Sequence, residues 1–159
     1  MTDQPKAKLL VTDDELVVRE FLGDVLQAEG YVVATAADGQ QALAAAVRDR
    51  PDLVLLDIMM PNMDGMETCR RMHENPATRG IPVIFLTAYN SVERMEDCIG
   101  AGANDFLGKP IDTTELLVRV EAMLSVRDIA DDVERMAKYV MSMKLLRAQR
   151  VSMAAQRRP

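Results

Sequence analysis

The stretch Leu53-Val54-Leu55-Leu56-Asp57-Ile58-Met59-Met60-Pro61 decides the fold, because it joins an uninterrupted apolar run to a single carboxylate. A run of Leu and Val without polar alternation is typical of a strand buried on both faces of a parallel sheet. A carboxylate inside such a sheet would be costly. At the carboxyl end of the strand, however, it faces the crevice where open α/β sheets bind ligands. We therefore expect Asp57 to lie at a functional edge.

The rest of the chain alternates strands with helices around this segment. Four more strands are predicted, at residues 8–12, 31–36, 81–86 and 104–107. The helices between them are predicted within residues 16–29, 41–48, 66–74 and 91–99, and a last helix starts at Asp112, which can cap it in a box with Glu115. Five βα units with short connections predict an α/β fold, a doubly wound parallel sheet with helices on both faces.

Polar residues stand at the carboxyl ends of four of these five strands. They are Asp13 and Asp14, Asp57, Thr87 and Lys109. Each alone is readily explained as an ordinary strand-end cap. Because the carboxyl ends of parallel strands share one edge, their agreement predicts a single site instead.

The chemistry of this set favours a hard cation and a phosphoryl group. Three carboxylates in one crevice repel one another unless a cation is present, and oxygen ligands alone select Mg²⁺. The single histidine, His73, lies in the helix after the third strand, away from this edge, which argues against Zn²⁺. Lys109 and Thr87 can hold phosphoryl oxygens, so the set predicts covalent phosphorylation of Asp57.

Composition excludes several other classes of protein. Two cysteines, Cys69 and Cys98, fit neither a disulfide framework nor a CxxC metal site, and no stretch approaches the length of a membrane span or a signal peptide. We expect a cytoplasmic protein. Residues 126–159 hold eight bases and four acids, so the net charge of −6 leaves −10 on residues 1–125. An acidic body argues against direct binding of nucleic acid.

At the level of motifs, residues 7–125 resemble the receiver domain of bacterial two-component response regulators. The matching segments are Val11-Thr12-Asp13-Asp14-Glu15, Leu55 to Pro61 with Asp64-Gly65, Phe85-Leu86-Thr87-Ala88 and Gly108-Lys109-Pro110. The resemblance implies a flavodoxin-like sheet of order 2-1-3-4-5. It divides the chain into a phosphoreceiver domain, residues 1–125, and a helical extension, residues 126–159.

The same resemblance assigns a role to each site residue. Asp57 is implied as the phosphoacceptor, and Asp13, Asp14, Asp57 and the backbone carbonyl of Met59 as Mg²⁺ ligands. Thr87 and Lys109 are implied to bind the phosphoryl group, with a cis peptide before Pro110. The implied donor is a sensor histidine kinase or a histidine phosphotransfer protein. Beyond its own phosphorylation and dephosphorylation, no enzymatic activity is expected.

Departures from the family pattern concern signalling. Phe106 stands where the family often has Tyr, so a switch that couples it to Thr87 has to work by packing alone. Met59 and Tyr89 occupy positions that tune access of water to the acyl phosphate in similar receivers. Their bulk predicts slow autodephosphorylation.

The extension after Ser125 has its own pattern. No Pro or Gly interrupts it before Pro159, so a long C-terminal helix is expected. Apolar residues with 3-4-3-4-3 spacing predict an a/d seam of a parallel dimer through residues 126–143: Val126, Ile129, Val133, Met136, Val140 and Met143. A helix folded back on its own domain, another partner contact and a disordered tail are the alternatives.

Three functional roles are compatible with the sequence. The protein is a stand-alone module whose phosphorylation switches protein–protein contacts or dimerisation, with an unknown downstream partner. Alternatively, it is the regulatory part of a larger output protein, a cyclic-dinucleotide enzyme or a transcription factor. The third is an intermediate in a phosphorelay.

Overall fold

The computed structural model describes residue 4 and residues 6–88, 96–98 and 100–157. Within them lies a five-stranded parallel sheet of order β2-β1-β3-β4-β5, as expected. Its strands are β1 (Lys8–Thr12), β2 (Val32–Ala36), β3 (Leu53–Asp57), β4 (Val83–Thr87) and β5 (Asp105–Gly108). The helices are α1 (Leu16–Ala28), α2 (Gly39–Asp49), α3 (Gly65–Glu74), α4 (Thr113–Val126) and α5 (Asp132–Gln156).

Residues 96–98 are also helical. Tyr89 and most of the helix predicted between Ser91 and Ile99 lie outside the described residues. The chain divides into two compact units, Met1–Pro110 and Ile111–Pro159.

Burial on both faces of the sheet explains why its central strands are continuously apolar. Every residue of β3 and β4 is buried. Alternate side chains point to opposite faces, so Leu10, Val54 and Phe85 join a cluster with residues of α2 and α3. Their strand neighbours fall on the other face, where α1 packs beside β1 and β2 and buries Leu22 and Leu26. Helices therefore cover both faces, as the alternating pattern predicts.

The second unit is a pair of helices. The long helix expected after Ser125 does exist, but it is not continuous with the helix before it. Helix α4 ends at Val126, and α5 starts at Asp132 because the Asp131 side chain accepts a hydrogen bond from the Glu134 N–H at 2.8 Å. The turn between them removes Val126 and Ile129 from the expected seam. The boundary predicted at residue 125 between domain and extension stays a prediction.

Helix α5 folds back along α4. Its Arg147 donates two hydrogen bonds, of 2.7 and 2.9 Å, to the Glu115 carboxylate, and Arg119 contacts Met143. The pairs 115–147 and 119–143 run in opposite order along the two helices, so α5 lies back along α4, and Arg150 also lies 3.7 Å from Glu121. Asp112 caps α4 as expected, but the Glu115 carboxylate binds Arg147. The expected seam is therefore not formed as a whole, since Met143 contacts α4.

Candidate functional site

The carboxyl edge of the sheet brings together acids that are far apart in sequence. Carboxylate oxygens of Asp13, Asp14 and Asp57 all lie within 4.8 Å of one another. Asp13 and Asp57 are buried, with 0% and 2% of their surface exposed, whereas Asp14 is exposed. The site therefore has two acids in its wall and one at its rim.

Parallel pairing in the sheet sets this geometry. Strand β1 ends at Thr12, which pairs with Leu56, so Asp13 and Asp14 follow β1 at the level where β3 ends in Asp57. On the other side, Asp57 pairs with Leu86, and Thr87 comes next in β4. Thr87 is 4% exposed. The convergence that the sequence predicts from strand ends alone is thus produced by strand register.

Lys109 supplies the positive charge of the cluster. Its Nζ lies 2.8 Å from Asp13 Oδ2 and 3.3 Å from Asp57 Oδ1. Burial opposes the charge on Lys109, but the hydrogen bond to Asp13 and the attraction of both carboxylates outweigh it and raise the pKa. The backbone also fixes this residue, because its N–H donates to the Thr87 carbonyl at 2.7 Å. The following Lys109–Pro110 peptide bond is cis, as the resemblance implies.

Asp57 is an unusual acid. Burial and the neighbouring Asp13 carboxylate raise its pKa to about 6, although Lys109 and the Met59 N–H favour the charged form. The Met59 N–H lies 3.3 Å from Asp57 Oδ1, and the Met59 side chain is 52% exposed. Because burial and Asp13 disfavour the charge on Asp57, a cation bound next to this carboxylate would stabilise its ionised form. The donor set itself, three carboxylates without nitrogen or sulfur, fits a hard divalent ion.

Several contacts that support the site are not among those predicted. The Glu15 N–H donates to Asp13 Oδ1 at 2.9 Å, and Arg19 Nη1 donates to the Asp13 carbonyl at 2.7 Å. Gly65 packs under the end of β3, where an added Cβ would meet the Asp57 carbonyl oxygen and lie 2.8 Å from Ile58 Cα. The glycine of the Asp64-Gly65 pair was a signal for this close approach. Nothing in the sequence signalled the Arg19 contact.

Phe106 lies apart from the charged cluster. It is half-buried, pairs with Phe85 in the sheet and packs against the core. His73 Nδ1 donates a hydrogen bond to the Cys69 carbonyl oxygen at 3.0 Å, within α3. Cys69 and Cys98 are both buried. Among the described residues, no helix has the length and apolar character needed to cross a membrane.

Comparison with known proteins gives consistent matches. Residues 9–121 match the model of the response regulator receiver domain. The chain is 43% identical to response regulator PleD of Caulobacter vibrioides over 129 residues, 81% of this chain and 28% of PleD. It is 42% identical to response regulator MprA of Mycobacterium avium over 130 residues, 82% of this chain and 56% of MprA. The chain thus spans less than two thirds of these relatives.

Solved structures resemble the chain over most of its length. Chemotaxis protein CheY4 of Vibrio cholerae matches with a TM-score of 0.70 and 35% identity, covering 72% of this chain and 96% of CheY4. The receiver domain of sensor histidine kinase PA1611 from Pseudomonas aeruginosa matches with a TM-score of 0.70 and 33% identity, covering 75% and 98%. In that structure a magnesium ion is coordinated in the active-site cleft.

Proposed function

Because the chain belongs to the response regulator receiver family, we propose that Asp57 is its phosphoacceptor. The observation that carries this proposal is the position of Asp57. It is the one acid of the cluster that ends the central strand and also lies within 3.3 Å of the Lys109 ammonium. A phosphohistidine donor would transfer its phosphoryl group to a carboxylate oxygen of Asp57. The N–P bond breaks, an O–P bond forms, and the imidazole of the donor leaves.

Mg²⁺ is the proposed cofactor. Asp13, Asp14 and Asp57 would hold it, with the Met59 carbonyl as a further ligand. The ion supplies positive charge next to the transferring phosphoryl oxygens. The magnesium bound in the PA1611 receiver domain supports this assignment, as does the oxygen-only donor set.

Lys109 and Thr87 are proposed to hold the phosphoryl group. The Lys109 ammonium already contacts two carboxylates, so it is placed to follow negative charge as it shifts from Asp57 to the phosphoryl oxygens. Thr87 stands one residue beyond the Asp57 level in the neighbouring strand. Its movement toward the phosphoryl group would be transmitted to the core through Phe106, which packs without a hydroxyl.

Phosphorylation is proposed to switch protein contacts or dimerisation, with a sensor histidine kinase or histidine phosphotransfer protein as donor. The domain would catalyse only its own phosphorylation and dephosphorylation. Slow hydrolysis is proposed because Met59, whose backbone N–H lies 3.3 Å from Asp57 Oδ1, carries a bulky side chain that would limit access of water. A phosphate lifetime of seconds in the purified protein would contradict slow hydrolysis.

A receiver that regulates a larger protein is the second candidate. It is favoured by the relatives, since the chain matches only 28% of PleD and 56% of MprA. A reading frame that continues past Pro159 into an output domain would support it. An intermediate in a phosphorelay is the third candidate, and rapid transfer from Asp57 back to a histidine phosphotransfer protein would favour it.

The test of the main proposal is phosphorylation by a small phosphodonor with Mg²⁺. Asp57→Asn should abolish the gain in mass, because the amide cannot form the acyl phosphate. The matched control is Asp24→Asn, which changes an exposed acid on α1 and should leave phosphorylation unchanged. Light scattering with and without beryllofluoride and Mg²⁺ then tests the output. A change in molar mass on adding beryllofluoride supports switched dimerisation, and an unchanged monomer contradicts it.

A further inference from the structure

Arg19 holds the loop that carries two of the site acids. The loop between β1 and α1 consists of residues 13–15. The half-buried Arg19 side chain donates a hydrogen bond from Nη1 to the Asp13 carbonyl oxygen at 2.7 Å, and its backbone N–H donates to the Glu15 carbonyl oxygen at 3.1 Å. One residue of α1 therefore binds both ends of the loop.

Asp13 is held at each of its hydrogen-bonding groups. Its backbone N–H donates to the Ala36 carbonyl oxygen at 3.2 Å, and Oδ1 accepts from the Glu15 N–H at 2.9 Å. Oδ2 accepts from Lys109 Nζ at 2.8 Å, and the carbonyl oxygen accepts from Arg19. Of these contacts, the one from Arg19 acts on the peptide bond to the next residue.

Asp14 depends on that peptide bond for its position. Its side chain is exposed, and within residues 6–88, 96–98 and 100–157 no hydrogen bond or ion pair holds its carboxylate. One of its oxygens nevertheless lies within 4.8 Å of carboxylate oxygens of Asp13 and Asp57. Because a peptide bond is planar, the orientation of the Asp13 carbonyl also sets the direction in which the chain enters Asp14. The hydrogen bond from Arg19 thereby helps to place the third acid of the cluster.

We propose that Arg19 is a positioning residue for the metal site, which orients the peptide bond between Asp13 and Asp14 so that the Asp14 carboxylate completes the set of three acids. The inference rests on the proposed binding of Mg²⁺ there. The charge of Arg19 acts in the opposite direction, because a guanidinium near the acids repels a divalent cation. Since Arg19 is only half-buried, solvent screens this repulsion, and we expect orientation to dominate.

The second unit contains the same kind of contact without the acid cluster. Arg135 is the fourth residue of α5, as Arg19 is of α1, and its Nη1 donates to the carbonyl oxygen of Ile129 at 2.9 Å. Both arginines are half-buried, and each reaches the residue six positions earlier. Arg135→Met is therefore a matched control, which separates a local loss of stability from an effect on the metal site.

The first test measures Mg²⁺ binding to the full chain by titration calorimetry, without phosphodonor. Arg19→Met should raise the dissociation constant about tenfold, because loss of a group that orients a metal ligand typically has this effect. Arg19→Lys keeps a cationic donor on a shorter side chain and should raise it about threefold, which tests the proposal even if Arg19→Met does not fold. Arg135→Met should leave the dissociation constant unchanged. In urea denaturation with Mg²⁺ chelated, both methionine variants should unfold at a lower urea concentration than wild type.

The second test follows the rate of phosphorylation by acetyl phosphate as the Mg²⁺ concentration rises. For Arg19→Met, the Mg²⁺ concentration that gives half the maximal rate should rise about tenfold, whereas the rate at saturating Mg²⁺ should stay within about twofold of wild type. This pattern distinguishes orientation of a metal ligand from a contact with the phosphodonor.

Three results would overturn the proposal. They are Mg²⁺ binding by Arg19→Met that is as tight as in wild type or tighter, an equal loss of binding in Arg135→Met, and a fall in the saturating rate alone. A wild-type chain that binds no Mg²⁺ overturns the proposed metal site together with this inference. If Arg19→Met shows the expected loss of Mg²⁺ binding but the chain is phosphorylated on another residue, only the proposed role of Asp57 is contradicted.

Discussion

The edge of the sheet around Asp57 and the exposed apolar side chains of α5 are opposite exceptions to the usual distribution of side chains. At the first, acids are buried, with Asp13 and Asp57 at most 2% exposed. At the second, aliphatic residues are exposed, with Val133 at 79%. The buried acids are compensated within the chain by Lys109, whereas side chains such as Val133 and Leu145 remain largely exposed. Buried acids that are paired with a lysine are typical of a reactive site, whereas exposed apolar side chains are typical of a contact surface.

The largest expected effect concerns the packing that holds Asp57 in place. Gly65→Ala should lower the free energy of unfolding by about 3–4 kcal/mol, because the new Cβ meets backbone atoms of Asp57 and Ile58 rather than a movable side chain. Urea denaturation measures it. The control is Gly80→Ala, since no atom lies within 4 Å of the added Cβ there. Equal stabilities of the two variants would show that the backbone of Asp57 and Ile58 leaves room for a Cβ at residue 65.

The second largest effect is expected from removing the positive charge of Lys109. Lys109→Met leaves Asp13 and Asp57 facing each other without a cation, and we expect a loss of about 2–3 kcal/mol at neutral pH in the absence of Mg²⁺. Lys138→Met on α5 removes an exposed ion pair with Glu134 and should cost about 0.3 kcal/mol. If both variants lose the same stability, the two regions do not differ as proposed.

The pH dependence of stability isolates Asp57 itself. Its pKa is about 6 in the folded chain against an ordinary value of 3.8, so the folded state binds more protons than the unfolded state between these values. The contribution of Asp57 to stability therefore falls as pH rises from about 4 to 6, by about 2 kcal/mol. Denaturation of wild type and Asp57→Asn over this range gives the difference. A difference that is constant with pH would contradict the raised pKa.

The smallest effect concerns the contact of α5 with α4. Glu115→Gln removes the ion pair with Arg147, whose side chains are 31% and 43% exposed, so solvent screening limits the loss to about 0.5–1 kcal/mol. Hydrogen exchange of α5 amides should speed up correspondingly. Glu67→Gln, which breaks two ion pairs confined to α3, with Arg70 and Arg71, should leave that exchange unchanged. A rate unaffected by Glu115→Gln would show that the pair does not hold α5.

The sheet and its site were accessible from sequence because both follow from repeated local patterns. Continuous apolar runs such as residues 53–56 predict central strands, and the shared edge of parallel strands then brings Asp13, Asp57 and Lys109 together. The rise in the pKa of Asp57 was not accessible, because it depends on the depth of burial and on the distance to Asp13.

The C-terminal segment shows where such patterns mislead. The apolar spacing from Val126 to Met143 suggested one continuous seam. The spacing of Asp131 and Glu134, however, repeats that of Asp112 and Glu115 and indicates a second helix start. A cap at Asp131 starts a new helix, and the turn before it sends α5 back along α4. Which apolar residues then stay exposed depends on that packing, and the spacing alone does not determine it.

The role of Asp57 is tested most directly by locating the phosphoryl group. The wild-type chain, treated with a small phosphodonor and Mg²⁺, is digested and its peptides are analysed by mass spectrometry. We predict one acid-stable, base-labile phosphoryl group on the peptide that contains Asp57, with none formed when Mg²⁺ is chelated. A phosphoryl group of equal yield on another residue, or one that persists in Asp57→Asn, would contradict it.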